Sequence, residues 1–259
     1  MSAATDSPAA WRARFRAGEV RQTAALCPGF AQANMAFIRA AQADDFEAFL
    51  RANPAACPLL ARGAAGSPAL PGLGDIDLRH DLPLYRLFRD GAAAGRVADI
   101  AGHWRDDLVP FAIGCSLSFE ADLVAAGVSL RCHAPGLSCA AFDTGIANRP
   151  AGPFGGTLVV TMRAIPEDQV PLAIRVTKGH PAAHGAPVHV GDPAAIGVDL
   201  GRPIDGLGLT DLHPGEVPVF WACGVTMERA IASARLPFAI THAPGHMLIT
   251  DRRAEGSVP

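Results

Sequence analysis

No run of the 259 residues is long and apolar enough to cross a bilayer. The longest strongly apolar stretch, residues 217–225, is less than half of the ~20 residues a spanning helix needs. Charge of one sign is equally scarce. The 22 basic and 25 acidic residues are dispersed and leave a net charge of −3, so no basic stripe is available to follow a phosphate backbone. Nucleic acid and membrane are therefore not expected as partners. The six cysteines, at 27, 57, 115, 132, 139 and 223, include no CxxC pair, which argues against a zinc ribbon or a disulfide framework. Residues 1–6 are polar and lack the apolar stretch of a secretory signal. The expected compartment is a reducing cytoplasm.

Several motifs are missing too. There is no GxxxxGK[ST] loop, no GxGxxG after a strand and no GxSxG elbow. No nucleotide, flavin or haem site is implied, and the expectation is a cofactor-free protein using acid–base or covalent chemistry.

What is present reads as alternating strands and helices. Ser7-Pro8 is a helix start, with Ser7 as N-cap, and Gly18 ends that helix. A second helix begins near Asp44-Asp45, buries Phe46, Phe49 and Leu50, and stops at Asn53-Pro54. Residues 63–74 are a Gly/Pro-rich loop, and 84–88 a strand closed by Asp90-Gly91. Residues 109–113 form an apolar strand leading through Gly114-Cys115-Ser116 into a helix that ends by Gly127. The pattern recurs: strand 217–221, turn Ala222-Cys223-Gly224, helix 226–235, strand 238–241. Strand, turn and helix in this order predict βαβ units, hence an α/β fold with a mixed, largely parallel sheet. Between them, strand 158–162 and a helix opened by Pro166-Glu167 lie in a region rich in Gly, Pro and His. The expected division is a larger α/β domain from 1–127 and 215–259, with a smaller α+β domain inserted at 128–214.

In open α/β sheets ligands gather at strand ends, where helix N-termini offer free N–H groups. Two turns have that form. In the first, Cys115, Ser116 and Ser118 could hold a substrate carboxylate, with Glu120 in the first helical turn; the competing reading makes the serine an N-cap, Cys115 buried filler and Glu120 a solvated acid. In the second, Cys223, Gly224 and Thr226 occupy the strand-to-helix turn. There the helix dipole would lower the Cys223 thiol pKa and make it a nucleophile or acid, unless it is simply a small buried residue. A third element, Thr241-His242-Ala243-Pro244-Gly245-His246, spaces two imidazoles as zinc ligands would be on a helix. Pro244 and Gly245 make it a loop, suited instead to proton transfer or carboxylate binding. In a fourth segment, 184–193, His184 and His189 join Lys178 and His180 to give positive potential for an anionic substrate; the competing reading, which the segment taken alone favours, is a stiff surface loop.

These segments together carry a resemblance. GCSLSFE at 114–120, HGAPVHVGDP at 184–193, GEVPVFWACGVT at 215–226 and THAPGHMLITD at 241–251 resemble the bacterial hydro-lyase family related to D-glutamate cyclase, as do NPAACPLL at 53–60 and residues 77–85. The resemblance spans nearly the whole chain. It implies a carbon–oxygen lyase acting on a small anionic amino or hydroxy acid, foremost the dehydration of D-glutamate to 5-oxo-D-proline. Glu120, His242, His246 and Cys223 are then the catalytic candidates. Cys115, Ser116, Ser118, Gly224, Thr226, His184 and His189 are the substrate-binding ones, and no metal ligand is assigned. Where the family suggests a Tyr, a basic residue, Thr and Asn, this chain has Phe142-Asp143-Thr144-Gly145, which would alter the substrate if the stretch touches it. Two rival readings are a non-catalytic binder of small amino or carboxylic acids, and a zinc-dependent hydrolase built on His184, His189, His242 or His246. A homo-oligomer is compatible with the sequence.

Overall fold

The computed structural model describes residues 7–133 and 137–254. Residues 1–6, on which the expectation of no secretory signal rests, lie outside them.

Helix α1 (Pro8–Arg16) starts as expected: the Ser7 hydroxyl accepts the Ala10 N–H, with Pro8 behind it. Strand β1 (Phe30–Arg39) follows and runs straight into α2 (Ala40–Ala52). Three strands come next, β2 (Leu59–Arg62), β3 (Tyr85–Arg89) and β4 (Ala92–Val97). After β5 (Leu108–Gly114), a 3-10 turn leads into α3 (Glu120–Ala125). Strands β6 (Ala140–Ala147) and β7 (Thr157–Pro166) precede α4 (Val170–Lys178). Then come β8 (His189–Val190), β9 (Glu216–Ala222), α5 (Thr226–Ala234), β10 (Ala239–His242) and β11 (Leu248–Arg253).

The strands form two sheets. One has the order β2-β5-β1-β10-β3-β4 with β11 also on β1; the other runs β6-β7-β9-β8. Helices and strands alternate as the sequence predicts, but the sheet direction does not: every strand-to-strand pairing in both sheets is antiparallel. The reason lies in where each helix delivers the chain. After α3 it enters β6, in the other sheet, and α5 carries it from β9 in the second sheet to β10 in the first. A strand–helix–strand unit forces parallel neighbours only when both strands return to one sheet.

The side-chain alternation of the strands builds the layers. On β1, Ala36 and Ile38 face one way and Met35 and Phe37 the other; on β9, Phe220 and Ala222 oppose Val219 and Trp221. The inner faces of both sheets meet in one core with α2 and α5, where Phe46 packs edge-on against Phe111 and Phe154 at 5.1 Å between centroids. The outer face of the first sheet is covered by the 70–82 loop and that of the second by α3 and α4. The second sheet thus takes in β9, beyond residue 214. Among the described residues no helix is long and apolar enough to cross a membrane.

Candidate active site

The loops that end β5, β9 and β10 converge where the two sheets meet, and β1 brings Asn34 to the same place. Each loop follows from local chemistry. Gly114 closes β5 because a Cβ there would overlap the Ala182 carbonyl. Cys223 closes β9, its N–H donating to Val159 O at 2.9 Å. His242 closes β10, and Gly245, at φ +81°, turns the chain so that its carbonyl accepts the Thr23 N–H at 2.9 Å. Asn34 sits between two of these turns. Its Nδ2 donates to Gly114 O at 2.6 Å, and a Cβ on Gly224 would overlap its amide.

The result is a small cavity of about 60 Å³. Its polar wall is made by Asn34, Ser116, Thr161, His184 and His242, with the thiols of Cys115, Cys139 and Cys223 among them.

His242 is fully buried, and its Nδ1 accepts the Met35 N–H at 3.4 Å. The ring proton must therefore sit on Nε2, which has no hydrogen-bond partner among the described residues. His184 is bound the opposite way. Its Nδ1 lies 2.9 Å from the Ala55 carbonyl, which can only accept, so Nδ1 carries the proton and Nε2 a free lone pair, again without a partner among the described residues. Burial pushes both rings towards the neutral form, His184 down to about 4 and His242 down to about 3. Both residues line one cavity, a neutral imidazole protonated at Nε2 and another protonated at Nδ1, each with its Nε2 buried.

Behind this wall lies a buried ion pair. Arg163 Nη2 is 2.7 Å from Glu120 Oε1 and donates to Ser116 Oγ at 3.0 Å, while Nη1 donates to Thr161 Oγ1 at 3.2 Å. The guanidinium also stacks over Phe119 and Trp221, at 5.0 and 5.3 Å to the centroids. Burial opposes its charge, but the Glu120 carboxylate beside it supports that charge, and its pKa lies above the ordinary value.

Five of the residues expected at the site reach the cavity: Cys115, Ser116, His184, Cys223 and His242. The others are placed elsewhere. Glu120 is in the first turn of α3 as expected, but it is buried and turned to Arg163 and to His133, whose Nδ1 is 3.3 Å away. His246 Nδ1 lies 2.9 Å from its own loop's Pro244 O. The Ser118 hydroxyl accepts the Gln32 N–H at 3.0 Å, and that of Thr226 accepts the Val159 N–H at 2.9 Å. Gly224 presses on Asn34. His189 Nε2 bonds Asp192 O at 2.7 Å, and His180 pairs with Asp122 at 3.0 Å, so the 184–193 segment contributes only His184.

One electrostatic expectation is reversed. Burial outweighs the helix terminus at Cys223 and pushes its thiol up to about 12; Cys115 and Cys139 are raised by the same cause. Among the described residues no group of three or more His, Cys, Asp or Glu is gathered as a metal site. The altered stretch, 141–146, reaches the wall only at Ala141: Asp143 pairs with Arg229 on α5 at 2.8 Å, and the Thr144 hydroxyl donates to Leu158 O at 2.8 Å. Reasoning from sequence missed Asn34, Thr161 and Arg163. They lie within strands, and only the sheet register reveals which side chains point to the cavity.

Residues 109–251 match the family model described as D-glutamate cyclase. Proteins named "Putative hydro-lyase" align over almost the full chain. The one from Bordetella petrii is 50% identical over 256 residues, covering 97% of each chain. The one from Rhodococcus jostii is 49% identical over 253 residues, covering 95% of this chain and 94% of its own. A third, from a Jannaschia species, is 48% identical over 258 residues, covering 98% and 97%.

Proposed function

The chain belongs to the D-glutamate cyclase family, and on that premise we propose that it dehydrates a small anionic amino acid, closing D-glutamate to 5-oxo-D-proline. The observation that carries this reading is the pair of buried, neutral imidazoles with opposite tautomers in one cavity.

Lactam formation needs a base and an acid at once. The substrate nitrogen attacks the γ-carboxyl carbon, and an oxygen leaves as water. The substrate's ammonium nitrogen sheds two protons as the new C–N bond forms, and both end on the departing oxygen as water; the Nε2 lone pair of His184 is the acceptor that passes them across. His242 Nε2–H hydrogen-bonds to the departing oxygen and keeps its proton. A folded substrate makes the attack intramolecular, where alignment contributes about 7–11 kcal/mol in favourable cases. Ser116 and Thr161, each held by Arg163, supply a fixed polar edge against which a carboxylate can be oriented without bringing a free cation into the wall. The raised thiols rule against a resting thiolate nucleophile. Six free cysteines suit the reducing cytoplasm in which we place the reaction.

The test is to incubate purified protein with D- and L-glutamate and to follow 5-oxoproline by chiral chromatography. Product from the D isomer is expected, with H184Q and H242Q each slower by about 10²–10⁴-fold. Turnover unchanged in both variants would overturn the assignment. Binding of D-glutamate without any product would favour the non-catalytic binder instead.

A further inference from the structure

The cavity wall carries no formal charge at neutral pH. Among the described residues its lining includes no Asp, Glu, Lys or Arg. The thiols of Cys115, Cys139 and Cys223 are held protonated by burial. His242 cannot take a second proton without giving up the Met35 N–H that its Nδ1 accepts, and His184 is buried and neutral. The charged groups packed behind the wall are matched in pairs: Arg163 with Glu120 at 2.7 Å, Arg86 with Glu228 at 2.8 Å and Arg96 with Asp205 at 2.8 Å. One edge is polarised. The Ser116 and Thr161 hydroxyls each accept an Arg163 N–H, which leaves their own protons to give. That edge suits one carboxylate. A further charged group would leave water with no opposite charge to meet, and burying it unpaired is strongly unfavourable.

We infer that the site selects ligands by how few charges they carry, taking a five-membered lactam with one carboxylate in preference to the open-chain amino diacid. The inference rests on the cyclase reading above and assigns the cavity a ligand class, the cyclic amide carboxylates.

Glutamate and its lactam make the comparison direct. At neutral pH the open chain bears an ammonium and two carboxylates. Closing the ring forms one C–N bond, expels one water and leaves a single carboxylate, so an opposite pair of charges disappears while the net charge of −1 is kept. Long-range attraction therefore cannot tell the two apart, whereas desolvation can. The volume of about 60 Å³ works in the same direction, since the ring is more compact than the extended chain. The two unpartnered ring nitrogens, one N–H on His242 and one lone pair on His184, are complementary in kind to a lactam C=O and N–H. The equilibrium on the protein is thus shifted towards the ring relative to solution, and the lactam is an inhibitor competitive with the open chain.

The experiment is saturation-transfer NMR of the intact protein at pH 7, titrated with both enantiomers of glutamate, 5-oxoproline and proline and with cyclopentanecarboxylate, reading affinity and any 5-oxoproline formed in the same tube. Proline keeps the ring and carboxylate but replaces the amide with a charged ammonium; cyclopentanecarboxylate keeps both and has no nitrogen. One enantiomer of 5-oxoproline is expected to bind at least about 10-fold more tightly than glutamate or proline of the same hand, with cyclopentanecarboxylate also ahead of proline. Glutamate or proline bound as tightly as 5-oxoproline would overturn the inference, and so would proline ahead of cyclopentanecarboxylate. The expected order without 5-oxoproline formation from glutamate would support the lactam site and remove the cyclase reading. Formation of 5-oxoproline with glutamate bound the more tightly would leave the cyclase reading intact and overturn selection by charge. Binding of none of these compounds would overturn both.

Discussion

His184 and His242 are held neutral by burial, near 4 and near 3 against an ordinary 6.5, and the consequence for stability has a definite sign. Above pH 6.5 the rings are neutral in both the folded and unfolded chain. Below it the unfolded chain binds protons that the folded one refuses, so stability falls as pH drops towards 4 for His184 and towards 3 for His242. Each ring contributes up to about 1.4 kcal/mol per pH unit in that window. Urea midpoints measured from pH 7 to 4 should decline, and H184Q should decline less. For the same reason kcat/KM should show no acid inflection near 6.5 while the protein stays folded; an inflection there would mean that at least one ring titrates normally. Arg163 gives a second residue-level prediction. R163M leaves the buried Glu120 carboxylate with only His133 beside it and should cost about 3–5 kcal/mol in chemical denaturation. A loss under 1 kcal/mol would show that His133 or solvent takes over the pairing of Glu120 in the variant.

At the level of elements, the 3-10 turn at Ile204–Gly206 is the piece most directly open to test. Ile204 and Leu207 line the cavity, and Asp205 between them is pinned by Arg86 on β3 and by Arg96 on β4 at 2.8 Å. D205A should release that turn, raising KM more than it lowers kcat in steady-state kinetics; equal falls in kcat and kcat/KM would instead tie Asp205 to the chemical step. Elements also show why part of the molecule was legible in sequence and part was not. Helix α1 was readable because Ser7-Pro8 is a local signal. Helix α2 begins at Ala40, before Asp44-Asp45, because its N-cap is Arg39 with no side-chain bond to announce it. Strand β1 hides because Gln32 and Asn34 are buried along with their apolar neighbours, which erases the polar–apolar alternation. Strand β4 hides for the opposite reason, its residues being mostly exposed at a sheet edge. The turns bearing Cys115, Cys223 and His242 were visible as glycine-flanked strand ends. Arg163 and Thr161 were not, since their direction depends on a strand alternation that only packing resolves.

Across the whole molecule, antiparallel sheets joined by α3 and α5 replace the parallel arrangement, and the site lies where the sheets meet. Residues 1–127 with 215–259 against 128–214 remain a proposal for separate folding units. The aromatic cluster of Phe46, Phe111 and Phe154 instead ties β5, α2 and the loop before β7 together, and predicts one unfolding transition. Calorimetric and van't Hoff enthalpies should agree, whereas two resolved transitions would favour the division. The central claim, however, concerns the two imidazoles, and it can be read without knowing the substrate. Nitrogen-detected NMR of ¹⁵N-histidine-labelled protein at pH 7, with H184Q and H242Q for assignment, reports which nitrogen of each ring bears the proton. The account predicts a neutral His184 protonated at Nδ1 and a neutral His242 protonated at Nε2, both unchanged to pH 5. The same tautomer on both rings, or a charged ring at pH 7, would contradict it.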